Sequence, residues 1–468
     1  MHGWAGAPRA WLIRSSVRLQ DGVAGHSGGT ADVAYDVERH MTIPARPRGA
    51  PSAKDQAPPP AGRRPRWRTV LTVTVAVCAA AVAVVAGVQL VRSAAPGQPA
   101  RHTGAAGSAA ANSASEGSAK TRPNAAALPP LSAAQLAGQR VIYSYTGLTP
   151  PASLLRWIRA GKVGGVIFFS GNIASQSQLA GVAAELNGAN ASPRNPLRHY
   201  PLLLMTDQEG GLVHRLPGAP APSEKQIGEA ALPAVAARDA GRGAGRNLAG
   251  AGLNVNLAPV LDVYRAPGGF DDQYGRSYSA DPHQVSRLGA GFIKAQQATG
   301  VAATAKHFPG LGAAAAAQNT DEQPVTLDVP LGTLRGTDEY PYEAAIRAGV
   351  KLVMVSWAVY PALDRGVPAG LSPAVVGGEL RQRLGFTGVT ITDGLEAGAL
   401  QAYGSIRHRA TLAARAGMDL ILCSAQQPGE GGQARTALSR GYQHTALDQA
   451  EFRASVRRVL ALRASLRR

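Results

Sequence analysis

Residues 131–468 predict an α/β fold, a (β/α)8 barrel of the TIM type, on three observations. Eight short apolar runs recur along the stretch, Ala/Leu/Arg-rich helical segments separate most of them, and polar residues fall at the C-terminal ends of consecutive runs. The runs are 140–145 (RVIYSY), 163–169 (VGGVIFF), 201–206 (PLLLMT), 254–258 (NVNLA), 301–305 (VAATA), 351–356 (KLVMVS), 388–392 (GVTIT) and 419–422 (DLIL). They are continuous rather than alternating, as strands buried on both faces are. Helical stretches at 176–188, 232–251, 283–299, 338–349 and 405–416 supply the crossovers that parallel strands require. A doubly wound open sheet is the rival. Such a sheet normally carries a Gly-rich phosphate turn after its first strand, and Thr146-Gly147-Leu148 is no such turn.

The first 130 residues have a different texture. Residues 1–68 are rich in Gly, Ala, Pro and Arg without sustained periodicity and read as a disordered basic cytoplasmic tail. Residues 69–91, TVLTVTVAVCAAAVAVVAGVQLV, hold no charge. About 20 helical residues cross a bilayer core, so this run predicts a transmembrane signal anchor. Arg63, Arg64, Arg66 and Arg68 precede it directly, which places the N-terminus inside and all that follows outside a plasma membrane. The rival is a signal peptide cut near Ser93-Ala94-Ala95, giving a secreted protein. Residues 92–130, Ala/Ser/Gly/Pro-rich, predict a flexible linker.

Formal net charge is +18. Residues 1–130 hold 15 Lys/Arg and 6 Asp/Glu; the rest hold 33 and 24, so each part carries +9 and the shorter tail is far more basic per residue. No zinc-finger spacing or aromatic-basic RNA motif accompanies the charge, and nucleic acid is not expected as a partner. Cys78 and Cys423 do not make a disulfide framework, so stability must come from the core.

The residues able to do chemistry cluster at one predicted rim. Gly171-Asn172 follow the second run, Asp207 ends the third, and Pro259 and Asp262 follow the fourth. Lys306-His307 follow the fifth, Trp357 the sixth and Asp393 the seventh. A parallel barrel gathers such positions at its C-terminal face, where barrel enzymes keep their sites. Each one alone has a bland reading, since an Asp after a strand is often a helix N-cap; six consecutive coincidences do not.

Seven segments together resemble glycoside hydrolase family 3. They are GGVIFFSGNI (164–173), LLLMTDQEGGLVHRL (202–216), GLNVNLAPVLDV (252–263), GRSYSADP (275–282), KHFPGLG (306–312), VMVSWAVYPALD (353–364) and GVTITDGLEAGAL (388–400). The resemblance covers about residues 131–466 and is strongest to single-domain bacterial β-N-acetylglucosaminidases acting on wall fragments. It implies a retaining β-glycosidase with no cofactor or metal and a carbohydrate substrate, peptidoglycan-derived. By the same resemblance Asp393 is the nucleophile, with Glu396 or a mere N-cap as the rival readings. Asp207, Arg215, Arg276, Lys306 and His307 then bind the sugar, and Lys306 helps keep Asp393 ionised. His214 reads as a packing residue or a loop hydrogen bond.

One departure matters. The resembling enzymes follow KHFPG with a loop bearing an Asp-Ser-His element whose His is the acid/base. Here Leu311 stands for the first His, Ala313–Ala317 follow, and Asn319 occupies the catalytic His position by spacing. Asn cannot cycle a proton near neutral pH. Three accounts stand. Asp321, or less favoured Glu322, is the acid, the alanines letting the loop swing a carboxyl over the site. The protein needs an activated leaving group. Or it is a membrane-tethered glycan-binding pseudoenzyme. Trp357 also replaces a His common after the sixth strand, which predicts a changed sugar pocket there.

Overall fold

The computed structural model of the chain describes residues 128–466. The basic tail, the uncharged run 69–91 and all but the end of the linker lie outside the described residues. Among the described residues no helix is long and apolar enough to cross a membrane.

The described residues form ten strands: β1 Val141–Tyr143, β2 Gly165–Ile167, β3 Leu203–Thr206, β4 Gln208–Gly210, β5 Val213–His214, β6 Val255–Asn256, β7 Ala302–Phe308, β8 Leu352–Val355, β9 Val389–Gly394 and β10 Leu420–Leu422. Eight of them close a barrel in the order β1-β10-β9-β8-β7-β6-β3-β2, every neighbouring pair parallel. All eight expected apolar runs therefore become barrel strands. Each buries both faces. Ile142, Ile167, Leu203, Met205, Leu352, Met354 and Ile391 belong to the cluster inside the barrel. Their neighbours Tyr143, Val166, Leu204, Val353 and Val355 pack outward under the helices. Side chains alternate between faces along a strand, so two apolar faces yield a continuous apolar run.

The crossovers are Gln176–Asn190, Pro233–Gly250, Pro282–Gln297, Tyr340–Arg347 and Ile406–Ala416, with Ala152–Arg159, Pro428–Gln443 and Gln449–Ser465 beyond those expected. Their starts are set by side chains that accept from free backbone N–H groups, as Ser175 does from Gln178 at 3.1 Å and Asp281 from His283 at 2.9 Å. The last helix closes the lower end of the barrel, where Val459, Leu462 and Leu466 join the interior cluster. Its fully buried Arg463 donates to the carbonyls of Tyr200 and Pro201, both at 2.8 Å, and to Gln139.

Two differences from the sequence reading shape the site. β7 runs to Phe308 and β9 to Gly394, so Lys306, His307 and Asp393 stand on strands rather than after them. Strand backbone is more rigid than loop backbone, and these side chains are aimed accordingly. The DQEGG segment does not simply end β3. It turns back as the antiparallel pair β4–β5. Gly210 (φ 114°) and Gly211 (φ 58°) make the reversal; a Cβ at Gly210 would lie 2.3 Å from the Pro222 carbonyl oxygen.

Candidate active site

A cavity of about 310 Å³ opens at the C-terminal end of the barrel. It is at the small end of the range of ligand sites, roughly 300–1,000 Å³, and suits one sugar ring better than a chain. Asp207, Arg215, Arg276, Lys306, His307, Asp321 and Asp393 all line it. Glu209 and Glu396 line it too, with Phe169, Val213, Met354 and Ser424 among the other walls.

A buried charge network forms one wall. Lys306 Nζ donates to Asp207 Oδ1 at 2.8 Å and lies 2.7 Å from Glu209 Oε1. Arg276 grips Glu209 with two N–H groups, Nε to Oε2 at 2.9 Å and Nη2 to Oε1 at 3.0 Å, and reaches Asp271 Oδ1 at 3.2 Å. Such a fork fixes orientation as well as charge. Burial alone would raise the Glu209 carboxyl, yet Arg276 and Lys306 outweigh it and hold it down at about 2. Burial would lower Lys306, but Asp207 and Glu209 raise it, so the ammonium stays charged.

His307 is fully engaged by protein. Nδ1 lies 2.7 Å from Asp262 Oδ2, and Nε2 lies 3.3 Å from Arg276 Nη2. Burial and Arg276 push its pKa down to about 4. A ring that donates through Nδ1 and accepts at Nε2 is neutral. Asp262 also accepts from the backbone N–H of Leu311 at 2.7 Å, tying the residue after KHFPG to the segment that follows β6. Burial raises Asp262 to about 6, and burial with Asp262 raises Asp271 to about 7. Asp262, Asp271 and His307 bring possible metal-ligand atoms within 4.8 Å of one another. The Arg276 guanidinium already supplies the positive charge there, at Asp271 and at His307.

Asp393 and Asp321, like Glu396, differ from Asp207 and Glu209. Among the described residues neither has a Lys or Arg at ion-pair distance, whereas Asp207 and Glu209 do. Asp393 Oδ1 accepts from the Gly394 N–H at 2.8 Å. Burial first, then Asp321, raises the Asp393 carboxyl; His307 and Lys306 lower it by less. Lys306 therefore does not keep Asp393 at an ordinary carboxylate pKa. Asp321 is exposed where it opens onto the cavity, yet the protein packed around its carboxyl raises it above the ordinary range, with Glu396 and Asp207 adding to the rise and Arg276 opposing it.

The loop that carries Asp321 is fastened, not swinging. Gly398 N–H donates to the Asp321 carbonyl at 2.7 Å and Ala399 N–H to the Thr320 carbonyl at 3.0 Å. These bonds stitch the loop to the segment just after Asp393. A Cβ at Gly398 would lie 2.1 Å from the Glu322 carbonyl oxygen, so only glycine permits the approach. Asn319, at the position of the missing His, is buried; its Oδ1 accepts from the Asp321 N–H at 3.0 Å and its Nδ2 donates to Glu322 at 3.1 Å. It shapes the turn that presents Asp321. Glu322 does not line the cavity.

Residues 134–462 match the profile described as the glycosyl hydrolase family 3 N terminal domain. The chain belongs to glycoside hydrolase family 3. It is a hydrolase acting on glycosidic bonds. A secreted glycosyl hydrolase of Arthroderma benhamiae is 45% identical over 331 residues, covering 70% of this chain and 93% of the relative. A beta-hexosaminidase of Xylella fastidiosa is 32% identical over 299 residues, covering 60% and 82%. Among solved structures, a beta-N-acetylhexosaminidase of Beutenbergia cavernae superposes with TM-score 0.65 at 33% identity, covering 71% of this chain and 99% of that one. A family 3 beta-N-acetylglucosaminidase of Paenibacillus sp. superposes with TM-score 0.67 at 34% identity, covering 72% of this chain but only 63% of its own.

In this family 3 domain one cavity residue escaped the sequence reading: Glu209, two residues after Asp207 in DQEGG. Glu396, three after Asp393 and read only as a rival nucleophile, also lines the cavity. The hairpin explains the first: β4 turns Glu209 back between the two cations. Buried Gln208 pins that hairpin, accepting from the Arg215 and Leu216 N–H groups at 3.1 and 3.0 Å. Glu396 accepts from the Ser424 hydroxyl at 2.5 Å, a partner 28 positions away. His214 is exposed and bonds the Gly211 carbonyl at 2.6 Å, a loop contact as expected.

Proposed function

We propose that the domain is a retaining β-glycosidase releasing terminal β-linked sugars of the N-acetylhexosamine type, with Asp393 as nucleophile and Asp321 as acid/base. One observation carries the reading: Asp393 and Asp321 face one cavity, neither has a Lys or Arg at ion-pair distance, and both carboxyls are raised above the ordinary range, that of Asp393 partly by Asp321. A retaining mechanism needs such a pair. The ionised Asp393 attacks the anomeric carbon and forms a glycosyl ester, while the protonated Asp321 gives its proton to the departing oxygen. Asp321, now a carboxylate, takes a proton from water. That water attacks the anomeric carbon and releases the Asp393 carboxylate. His307 is not available for this task, because both ring nitrogens serve the protein.

Asp207, Lys306, Arg215 and Arg276 hold the sugar in this reading, and His307 shapes the wall. Lys306 has three donors and spends two on Asp207 and Glu209, leaving one for a hydroxyl. The names of the Xylella and Beutenbergia relatives support the amino-sugar assignment. A purely glycan-binding role would not require two carboxyls left without cations. The substrate in this reading is wall-derived and outside the cytoplasm, which the secreted Arthroderma relative supports. The run 69–91 then acts as the anchor; protein found soluble in the medium, cut near residue 95, would replace the anchor with a cleaved signal.

The decisive experiment traps the intermediate with a slow fluorinated aryl β-glycoside. Peptide mapping should place the sugar on Asp393. A label on Glu396 would overturn the nucleophile assignment, and no label with substantial turnover would overturn the covalent route.

A further inference from the structure

We infer that Trp357 is a positioning residue, holding the backbone beside Asp393 from outside the cavity lining through its indole N–H. The inference rests on Asp393 being the nucleophile. Trp357 does not line the cavity, so it does not take up the sugar-facing place of the His it replaces. It is 1% exposed, and its Nε1 donates to the Gly394 carbonyl at 2.7 Å. Gly394 is the residue whose own N–H donates to Asp393 Oδ1 at 2.8 Å. One residue, Gly394, thus links the indole to the carboxyl.

The ring itself has little freedom. Gly370 lies under it, and a Cβ there would come within 2.5 Å of the indole Cζ3. The same turn reaches a second loop. Tyr360 Oη donates to the Gly310 carbonyl at 2.9 Å and lies 3.2 Å from Ser356 Oγ. Segment 356–360 therefore ties the end of β9, which bears Asp393, to the KHFPG segment, which bears Lys306 and His307. A buried indole N–H must be satisfied, and here its partner fixes the site's geometry.

Trp357→Phe removes the donor and keeps most of the ring. It should lower kcat on an aryl β-N-acetylglucosaminide by about 10- to 100-fold, the scale of a misplaced reacting group, while KM stays within about twofold. The acid limb of kcat/KM should also move to higher pH, because a loosened Gly394 N–H supports the ionised carboxylate less well. A destabilised but well-positioned protein would show neither change once normalised to folded protein. Should that variant fail to fold, Gly370→Ala keeps the indole but displaces it, and should show a smaller loss of the same kind. Asp393→Asn is measured alongside. If Asp393→Asn is inactive while Trp357→Phe keeps wild-type kcat and acid limb, the brace is refuted and the nucleophile stands. If KM rises in step with the loss, Trp357 is a binding residue and the inference fails. An active Asp393→Asn refutes the nucleophile itself, and the brace with it.

Discussion

The two ends of the barrel each hold a carboxylate, wholly buried below and half-buried above, and they treat it in opposite ways. At the lower end Asp419 is wholly buried and saturated. Arg381 and Arg458 donate to it at 2.6 and 2.9 Å, and the Thr390 N–H at 3.0 Å. The last helix covers that end with apolar side chains. At the upper end Asp393 has one backbone donor and no cation, and Asp321 adds a second carboxyl to the same cavity. Pairing a buried charge removes its cost; leaving it unpaired keeps it reactive and leaves that cost standing. The lower end is built for stability and the upper end for chemistry, the division expected of a barrel.

Substitutions at the two ends should therefore separate activity from stability. Asp393→Asn should cut turnover by several orders of magnitude, the scale of lost covalent catalysis. Its thermal midpoint at pH 7 should equal or exceed that of the parent. The sign follows from the raised pKa: the ionised Asp393 costs folding free energy above the ordinary carboxylate pKa, and Asn carries no charge to bury. A large loss of stability with modest loss of rate would erase the contrast between the ends.

Asp321→Ala comes next in size. Substrates with poor leaving groups should lose about 10²- to 10⁴-fold, the range of general acid catalysis, and activated aryl glycosides far less. Azide should partly restore the second step by replacing the water that Asp321 would activate. A uniform loss without azide rescue would remove Asp321 from the mechanism, and the same measurement on Glu322 would then decide whether this loop carries any acid.

The lower end should respond in the reverse sense. Asp419→Ala strands Arg381 and Arg458 against the barrel floor. It should cost about 3 kcal/mol in denaturant unfolding, as breaking a buried pair does, with kcat per folded molecule unchanged. A matching fall in kcat would show that the two ends are coupled.

The barrel was legible in the sequence because both faces of each strand are buried, so eight apolar runs announce eight strands. The rim residues were legible because strand ends carry them in order. The Asp393 and Asp207 positions needed only that. Glu209 was not, since its place depends on a hairpin that two glycines make after a strand had apparently ended. Nor was the fixing of the Asp321 loop: the five alanines suggest slack, but the bonds that hold it join Thr320 and Asp321 to Gly398 and Ala399, far away in the chain. Trp357 was noticed as a substitution in the pocket. The structure buries it outside the pocket lining, bonded to the Gly394 carbonyl, which no local pattern could indicate.

The smallest expected effect tests the carboxyl pair directly. Asp321 is the largest charged influence raising the Asp393 carboxyl, after burial. Where Asp321 ionises before Asp393 in the free enzyme, removing its negative charge lowers the Asp393 pKa, since a like charge nearby disfavours ionisation. The acid limb of kcat/KM reports the free enzyme's nucleophile becoming ionised. Asp321→Asn, assayed on an activated aryl glycoside that needs no acid, should therefore move that limb to lower pH. Glu322→Gln should leave it in place, because Glu322 faces Asn319 and lies outside the cavity. A limb that ignores Asp321 would mean that Asp321 is still protonated and uncharged when Asp393 ionises, so that its charge does not set the Asp393 pKa. A limb that moves upward would mean that Asp321 stabilises the ionised nucleophile, a sign that no two like charges in one cavity can produce.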